Sequence, residues 1–217
     1  MPHYICVRGT AGETSMDYNE IAPKLQSGDI FLFRGKTLVS RMIDFMTDSI
    51  YSHAGMVVRQ PDPQGKDTLY LWQSFEPEGG VVRDHLEEFL SKYKTSERGS
   101  SFVVRQLTVE RTPAMAQALS KFMAEVKGRP FPSVLTWFVH WVGGNLGIPS
   151  GLKNFFCSQL IAQTYIRMGI FPKRPPATAY TPGRFSAKYK KLRFEKGASL
   201  GPEIPVTLPK PASKKKR

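Results

Sequence analysis

Short apolar runs alternate along the chain with longer segments of helical spacing. Leu25 to Asp29 reads as a turn feeding Ile30-Phe31-Leu32-Phe33, a short strand. Across Thr37 to Thr47, Leu38, Val39, Met42, Ile43 and Met46 recur at the spacing of an amphipathic helix. His53-Ala54-Gly55-Met56-Val57-Val58 predicts a second strand, Asp62 to Gly65 a turn, and Thr68 to Phe75 a third strand rich in Leu, Tyr, Trp and Phe. Gly79-Gly80 breaks that strand from Val81-Val82, and Phe102 to Leu107 predicts another strand.

Two helices follow. Thr112-Pro113 opens one that runs to about Val126, with Ala116, Leu119, Phe122, Met123 and Val126 along one face and Gly128 as its stop. The other is predicted from Asn154 as N-cap, through Cys157, Leu160, Ile161, Thr164 and Met168, to Gly169. Pro172, Pro175, Pro176 and Pro182 mark an irregular wrap beyond it. Strands in the middle with helices before and after predict an α+β fold, a largely antiparallel sheet packed against helices. Residues 1–22 read as a flexible lead-in, 23–196 as one domain, and 197–217 as a basic, Pro- and Lys-rich disordered tail.

Composition narrows the partners. The chain has 217 residues, 41% of them hydrophobic, which suits one domain with a sizeable core. Lys and Arg outnumber Asp and Glu by 31 to 18, a net charge of +13 that favours anionic partners. Much of the excess is late: Lys188, Lys190, Lys191, Arg193 and Lys196, then Lys210 and Lys214 to Arg217. This tail is a candidate contact for an anionic membrane surface, and reads equally as a solvated tail. Its basic residues, interleaved with Tyr189 and Phe194, make no nucleic-acid-binding motif.

The two cysteines, Cys6 and Cys157, cannot form a disulfide framework, and free thiols fit a reducing compartment. A four-cysteine zinc site is excluded by count, and four His without HExxH spacing argue against a metal site. Met1 to Met16 lacks the apolar run of a signal peptide. The longest apolar stretch, Phe131 to Ile148, is interrupted by Pro132, His140, Gly143, Gly144 and Asn145 and is poor material for a spanning helix. The expected location is cytoplasmic, peripheral to a membrane at most.

Three residues are candidates for chemistry. Cys157 is placed in the first turn of a helix, where the macrodipole and free N–H groups favour a thiolate and an oxyanion. The competing reading is a buried cysteine packing as a small hydrophobe. His53 opens an apolar strand beside the small pair Ala54-Gly55, with room for a group to approach the ring as it would for a base. It reads also as a satisfied strand-end histidine. Gln73 is polar within Leu69-Tyr70-Leu71-Trp72 and Ser74, and a buried amide needs partners such as an imidazole N–H. An outward-facing Gln73 is the alternative, and Glu76 and Glu78 in the next turn are the nearby carboxylates. Tyr51, Trp137 and Trp141 are candidate substrate-binding residues, the two tryptophans from the aromatic stretch Val134 to Val142, which reads either as an acyl pocket or as core.

Five segments occur in a telling order: Ser27-Gly28-Asp29-Ile30-Phe31-Leu32-Phe33, Tyr51-Ser52-His53-Ala54-Gly55-Met56-Val57, Leu71-Trp72-Gln73-Ser74, Gly128-Arg129-Pro130-Phe131 and Phe156-Cys157-Ser158-Gln159-Leu160-Ile161-Ala162. This order resembles the circularly permuted papain-like hydrolases of the YiiX/YaeF type, in the NlpC-related superfamily that includes lecithin:retinol acyltransferase. The resemblance spans about Leu25 to Pro182. It implies a papain-like fold with Cys157 as nucleophile and His53 as base, no cofactor, and cleavage of an amide, ester or thioester in a peptide, lipid or small molecule. The third family position is commonly Glu, and here it is Gln73, which orients a ring but does not neutralise an imidazolium. Gln159 is a second departure, in a position where Glu is frequent. A non-catalytic binding module on the same scaffold, docked to an anionic membrane or partner through the tail, is the competing function.

Overall fold

The computed structural model describes residues 15–35, 49–95, 99–131 and 155–209. Seven strands form one mixed sheet: β1 (Met16–Asp17), β2 (Ile30–Gly35), β3 (His53–Pro61), β4 (Asp67–Phe75), β5 (Gly80–His85), β6 (Gly99–Arg105) and β7 (Ile204–Thr207), in the order β1-β7-β6-β2-β3-β4-β5. Among the described residues there are four α-helices: α1 (Tyr18–Ile21), α2 (Leu86–Thr95), α3 (Pro113–Val126) and α4 (Cys157–Arg167). The fold is α+β.

The sheet is covered on both faces, and the two-residue period of a strand decides which side chain goes where. Ile30 and Leu32 of β2 enter one core with residues of α3 and α4, while Phe31 and Phe33 enter the other with residues of α1 and α2. All four are fully buried, which is why this run holds no polar position. β3 behaves alike: Ala54, Met56 and Val58 face α4, and Val57 faces the α2 side.

The strands expected at Ile30, His53, Thr68 and Phe102 are β2, β3, β4 and β6, and the helix expected from Thr112 is α3, whose Thr112 hydroxyl accepts the Met115 N–H. The helix expected over residues 37–47 lies outside the described residues. The structure adds β5 and α2, where Leu86, Phe89, Leu90 and Tyr93 are buried.

Two boundaries move. Residues 16–21, expected within a loose lead-in, form β1 and α1. Residues 197–209, expected within a disordered tail, lie against the sheet: β7 pairs antiparallel with β6 and parallel with β1, so the sheet is not wholly antiparallel. Buried Ala198, Leu200 and Val206 pack this segment into the two cores, and one buried side chain pins its backbone. Arg105 donates from Nε to the Gly201 carbonyl (2.7 Å), from Nη1 to that of Phe185 (2.8 Å) and from Nη2 to that of Leu200 (2.8 Å).

Buried polar contacts fix the start of β2. The Asp29 carboxylate accepts the Leu107 N–H (2.9 Å), the Gln26 N–H (2.9 Å) and Arg111 Nη2 (2.6 Å). Tyr165 of α4 donates its hydroxyl to the Gly28 carbonyl at 2.6 Å. Gly28 has a φ of +96°, and a Cβ there would press on Leu107, so the turn before β2 suits glycine alone. The Ser27-Gly28-Asp29 motif therefore joins β2, the end of β6 and α4 into one unit.

Candidate active site

α4 begins at Cys157, with Phe156 in extended conformation as its N-cap. The sequence pointed to Asn154, outside the described residues, as cap. Phe156 has no side-chain acceptor to offer. Gln159, three residues on, instead turns its Oε1 back to accept the Phe156 N–H at 3.4 Å. Cys157 is thus the first helical residue, where N–H groups have no partner within the helix. Gln159 serves as a capping residue, which accounts for a buried amide in this position.

Two ties set the helix terminus over a fork in the sheet. The pairing of β3 with β4 runs from Met56–Trp72 to Pro61–Asp67, while His53, Ala54 and Gly55 pair with β2. At this fork, Ser74 Oγ of β4 donates to the Phe155 carbonyl at 2.5 Å. On the β3 side, the backbone N–H of Ala54 points at the Cys157 sulfur. The stretch before the helix is held as well, because Phe155 N–H meets the Pro130 carbonyl at 3.4 Å and Arg129 accepts Val81 N–H at 2.8 Å. Gly80 is required at that crossing, since a Cβ would collide with the Arg129 carbonyl.

The sulfur therefore lies at the amide of the residue that follows His53. The backbone N–H groups of Ser158 and of Cys157 itself also point at it. The Ser158 hydroxyl is near too, but its one proton is given to the Tyr180 carbonyl at 2.9 Å. Against these donors stands burial: Cys157 is 6% exposed. Burial wins, and pushes the thiol up to about 11.

His53 sits on the α2 side of the sheet, its ring between those of Phe33 (centroids 5.4 Å) and Phe75 (5.0 Å). Burial drives its pKa down to about 4, with Gln73 pulling weakly the other way. Gln73 is fully buried, not outward-facing, and its Oε1 lies 2.7 Å from His53 Nε2. Gln73 Nε2 in turn donates to Asp84 Oδ2 of β5 at 2.8 Å. At neutral pH the site thus holds a neutral thiol and a neutral imidazole, not an ion pair.

The structure brings together His53 and Gln73, and sets Cys157 against the backbone amide of Ala54, the residue after His53; the described contacts include none between the Cys157 sulfur and the His53 ring. Tyr51 goes elsewhere: it is buried in the α4-side core and its hydroxyl donates to Glu203 Oε2 at 2.6 Å, which ties it to the C-terminal segment. Trp137 and Trp141 lie outside the described residues. Glu76 and Glu78 are exposed in the turn after β4. Asp84 and the Ala54 amide escaped the sequence reading. Asp84 sits in Val81-Val82-Arg83-Asp84-His85, which carries no local sign of a site. Among the described residues no cluster of three or more His, Cys, Asp and Glu is placed to hold a metal ion, and no helix is long and apolar enough to cross a membrane.

No family model matches the chain, and no curated protein matches it. Among solved structures it is similar to the metalloprotein yiiX from Escherichia coli O157:H7, with 21% identity and a TM-score of 0.47. The match covers 64% of this chain and 64% of that one, less than two thirds of either.

Proposed function

We propose that the protein is a permuted papain-like thiol hydrolase or acyltransferase acting through an acyl-enzyme on Cys157. The observation that carries this reading is the fork between β3 and β4. There a helix-initial thiol meets the backbone N–H groups of Ala54, Ser158 and Cys157 itself, and the residue before Ala54 is a histidine whose Nε2 is held by a buried amide.

His53 takes the thiol proton as the sulfur attacks an amide, ester or thioester carbonyl. The N–H groups at the start of α4 stabilise the oxyanion of the tetrahedral intermediate. Collapse breaks the bond to the leaving group, which receives the proton from His53. Water or another acceptor then gives its proton to His53, attacks the thioester and frees the thiol. The chemistry needs no ion pair at rest: a neutral His53 is already a base, and proton removal coincides with attack. Gln73 fits this order, because it orients the ring without holding a charge on it.

A second reading has its own support. The thiol is held near 11 and is 6% exposed, as suits a cysteine that serves only to pack. A binding module on the same scaffold is the function this favours. An activity-based thiol probe, with a panel of model esters, thioesters and amides, separates the two. The hydrolase reading expects labelling and turnover in the wild type, loss of both in Cys157→Ala, and a drop of about 100-fold or more in His53→Ala. Labelling that persists unchanged in Cys157→Ala, or none in the wild type, favours the binding module.

A further inference from the structure

We infer that Asp84 is a positioning residue of this site: it fixes the Gln73 amide, and through it the tautomer in which His53 can act as a base. The inference rests on the proposed role of His53, and adds to it a residue on a third strand.

The argument is one of hydrogen-bond directions. Asp84, Gln73 and His53 lie on three neighbouring strands, β5, β4 and β3. In the β4–β5 register Gln73 faces Val82 and Leu71 faces Asp84, so Asp84 is the diagonal neighbour of Gln73 on one face of the sheet. An ionised carboxylate only accepts. The amide group 2.8 Å from Asp84 Oδ2 must therefore be the NH2 of Gln73, which sends its carbonyl Oε1 toward His53. A carbonyl also only accepts, so the nitrogen 2.7 Å away, Nε2, must carry the ring proton. A neutral imidazole has one such proton. Nδ1 is left with its lone pair, the form a base requires.

Without Asp84 the chain of directions loses its anchor. A free Gln73 amide can turn over and offer NH2 to Nε2, which moves the ring proton to Nδ1 and removes the base. The Asp84 carboxylate stands one side chain away from the histidine, with the Gln73 amide between them. Its charge is kept apart from the ring, and its directional effect is passed on through the amide.

The test compares four proteins by nitrogen-15 NMR of the His53 side chain at pH 7 and by the rate of thiol-probe labelling. Wild type is expected to show the Nε2–H tautomer alone. Asp84→Ala is expected to show a mixture of tautomers, with labelling slowed at least about twofold, the loss expected from half-occupancy of the competent form. Gln73→Glu, which sets two carboxylates against each other, is expected to disturb both readouts. The reciprocal exchange, Gln73→Glu with Asp84→Asn, restores an acceptor facing His53 and a donor behind it, and is expected to recover the Nε2–H tautomer and the labelling. An unchanged Nε2–H tautomer in Asp84→Ala, in a protein that remains folded by circular dichroism, overturns the inference. So does failure of the exchange to recover the tautomer when the exchanged protein is folded. A wild type that shows the Nε2–H form yet never labels leaves Asp84 in this role and overturns only the hydrolase reading.

Discussion

Two of the buried polar centres of the molecule are treated in opposite ways. At Asp29, a carboxylate 1% exposed is met by Arg111 and by two backbone N–H groups. At Cys157 and His53, burial is nearly as deep, yet the described contacts supply no counter-ion and both groups are held neutral. A structural centre in a protein interior is closed by opposite charge and by filling each acceptor. The second centre stays poised: its amides face a sulfur that carries no charge, and its imidazole keeps a nitrogen for other use. On the proposed function, that difference separates a brace from a site.

The largest effect expected of this comparison falls on the brace. Asp29→Ala removes the carboxylate from Arg111, which keeps the carbonyls of Ser27, Leu107 and Val109, and leaves the Leu107 and Gln26 N–H groups without their acceptor. A loss of about 3–5 kcal/mol is expected from urea unfolding. A loss under about 1 kcal/mol would mean that the three contacts do not act as one unit.

Next in size is the pH dependence of stability. His53 has its pKa lowered from 6.5 to about 4, so the unfolded chain binds the proton that the folded chain refuses. Stability from this group is complete above about 6.5 and is lost as pH falls toward 4, by about 3 kcal/mol in all. Cys157 gives the mirror image. Its pKa is raised from 9.0 to about 11, so stability is lost as pH rises through that window. Unfolding of wild type and His53→Gln from pH 4 to 7 checks the acid limb, where the variant should lose the steeper part of the slope. Equal slopes would mean that His53 is not held neutral. Smaller again is Tyr165→Phe, which leaves the buried Gly28 carbonyl without its donor and should cost about 1 kcal/mol.

How far the sequence went depends on whether a residue's meaning is local. The buried strands were legible because runs such as Ile30 to Phe33 state their burial outright. Gln73 was legible as a partner of His53, because an amide within an apolar run needs a hydrogen-bond partner. β7 was not, because Ile204 to Thr207 is short, follows Gly and Pro, and pairs with a strand about a hundred residues earlier. Asp84 was hidden for the same reason: its partner is set by strand register, which composition does not reveal. Tyr51 misled in the other direction. Its place beside His53 in the chain suggested the substrate, while the alternation of β3 and its approach sent the ring into the core.

The smallest stability effect is also the most decisive for the comparison. Cys157→Ala exchanges a thiol that packs as a small hydrophobe for a methyl group of similar volume, in a place where the helix cap and the Ser74 tie remain. At pH 7 the change in unfolding free energy should stay within about 1 kcal/mol, in either direction. Thiol-probe labelling and turnover should vanish, and the part of the alkaline loss of stability that sets in near pH 9 should go with them, leaving the part that belongs to buried tyrosines such as Tyr18 and Tyr165. Asp29→Ala is expected to do the reverse, weakening the fold while any molecule that remains folded keeps a reactive thiol. If Cys157→Ala instead unfolds the protein as readily as Asp29→Ala does, the two centres are of one kind, and Cys157 is a second brace.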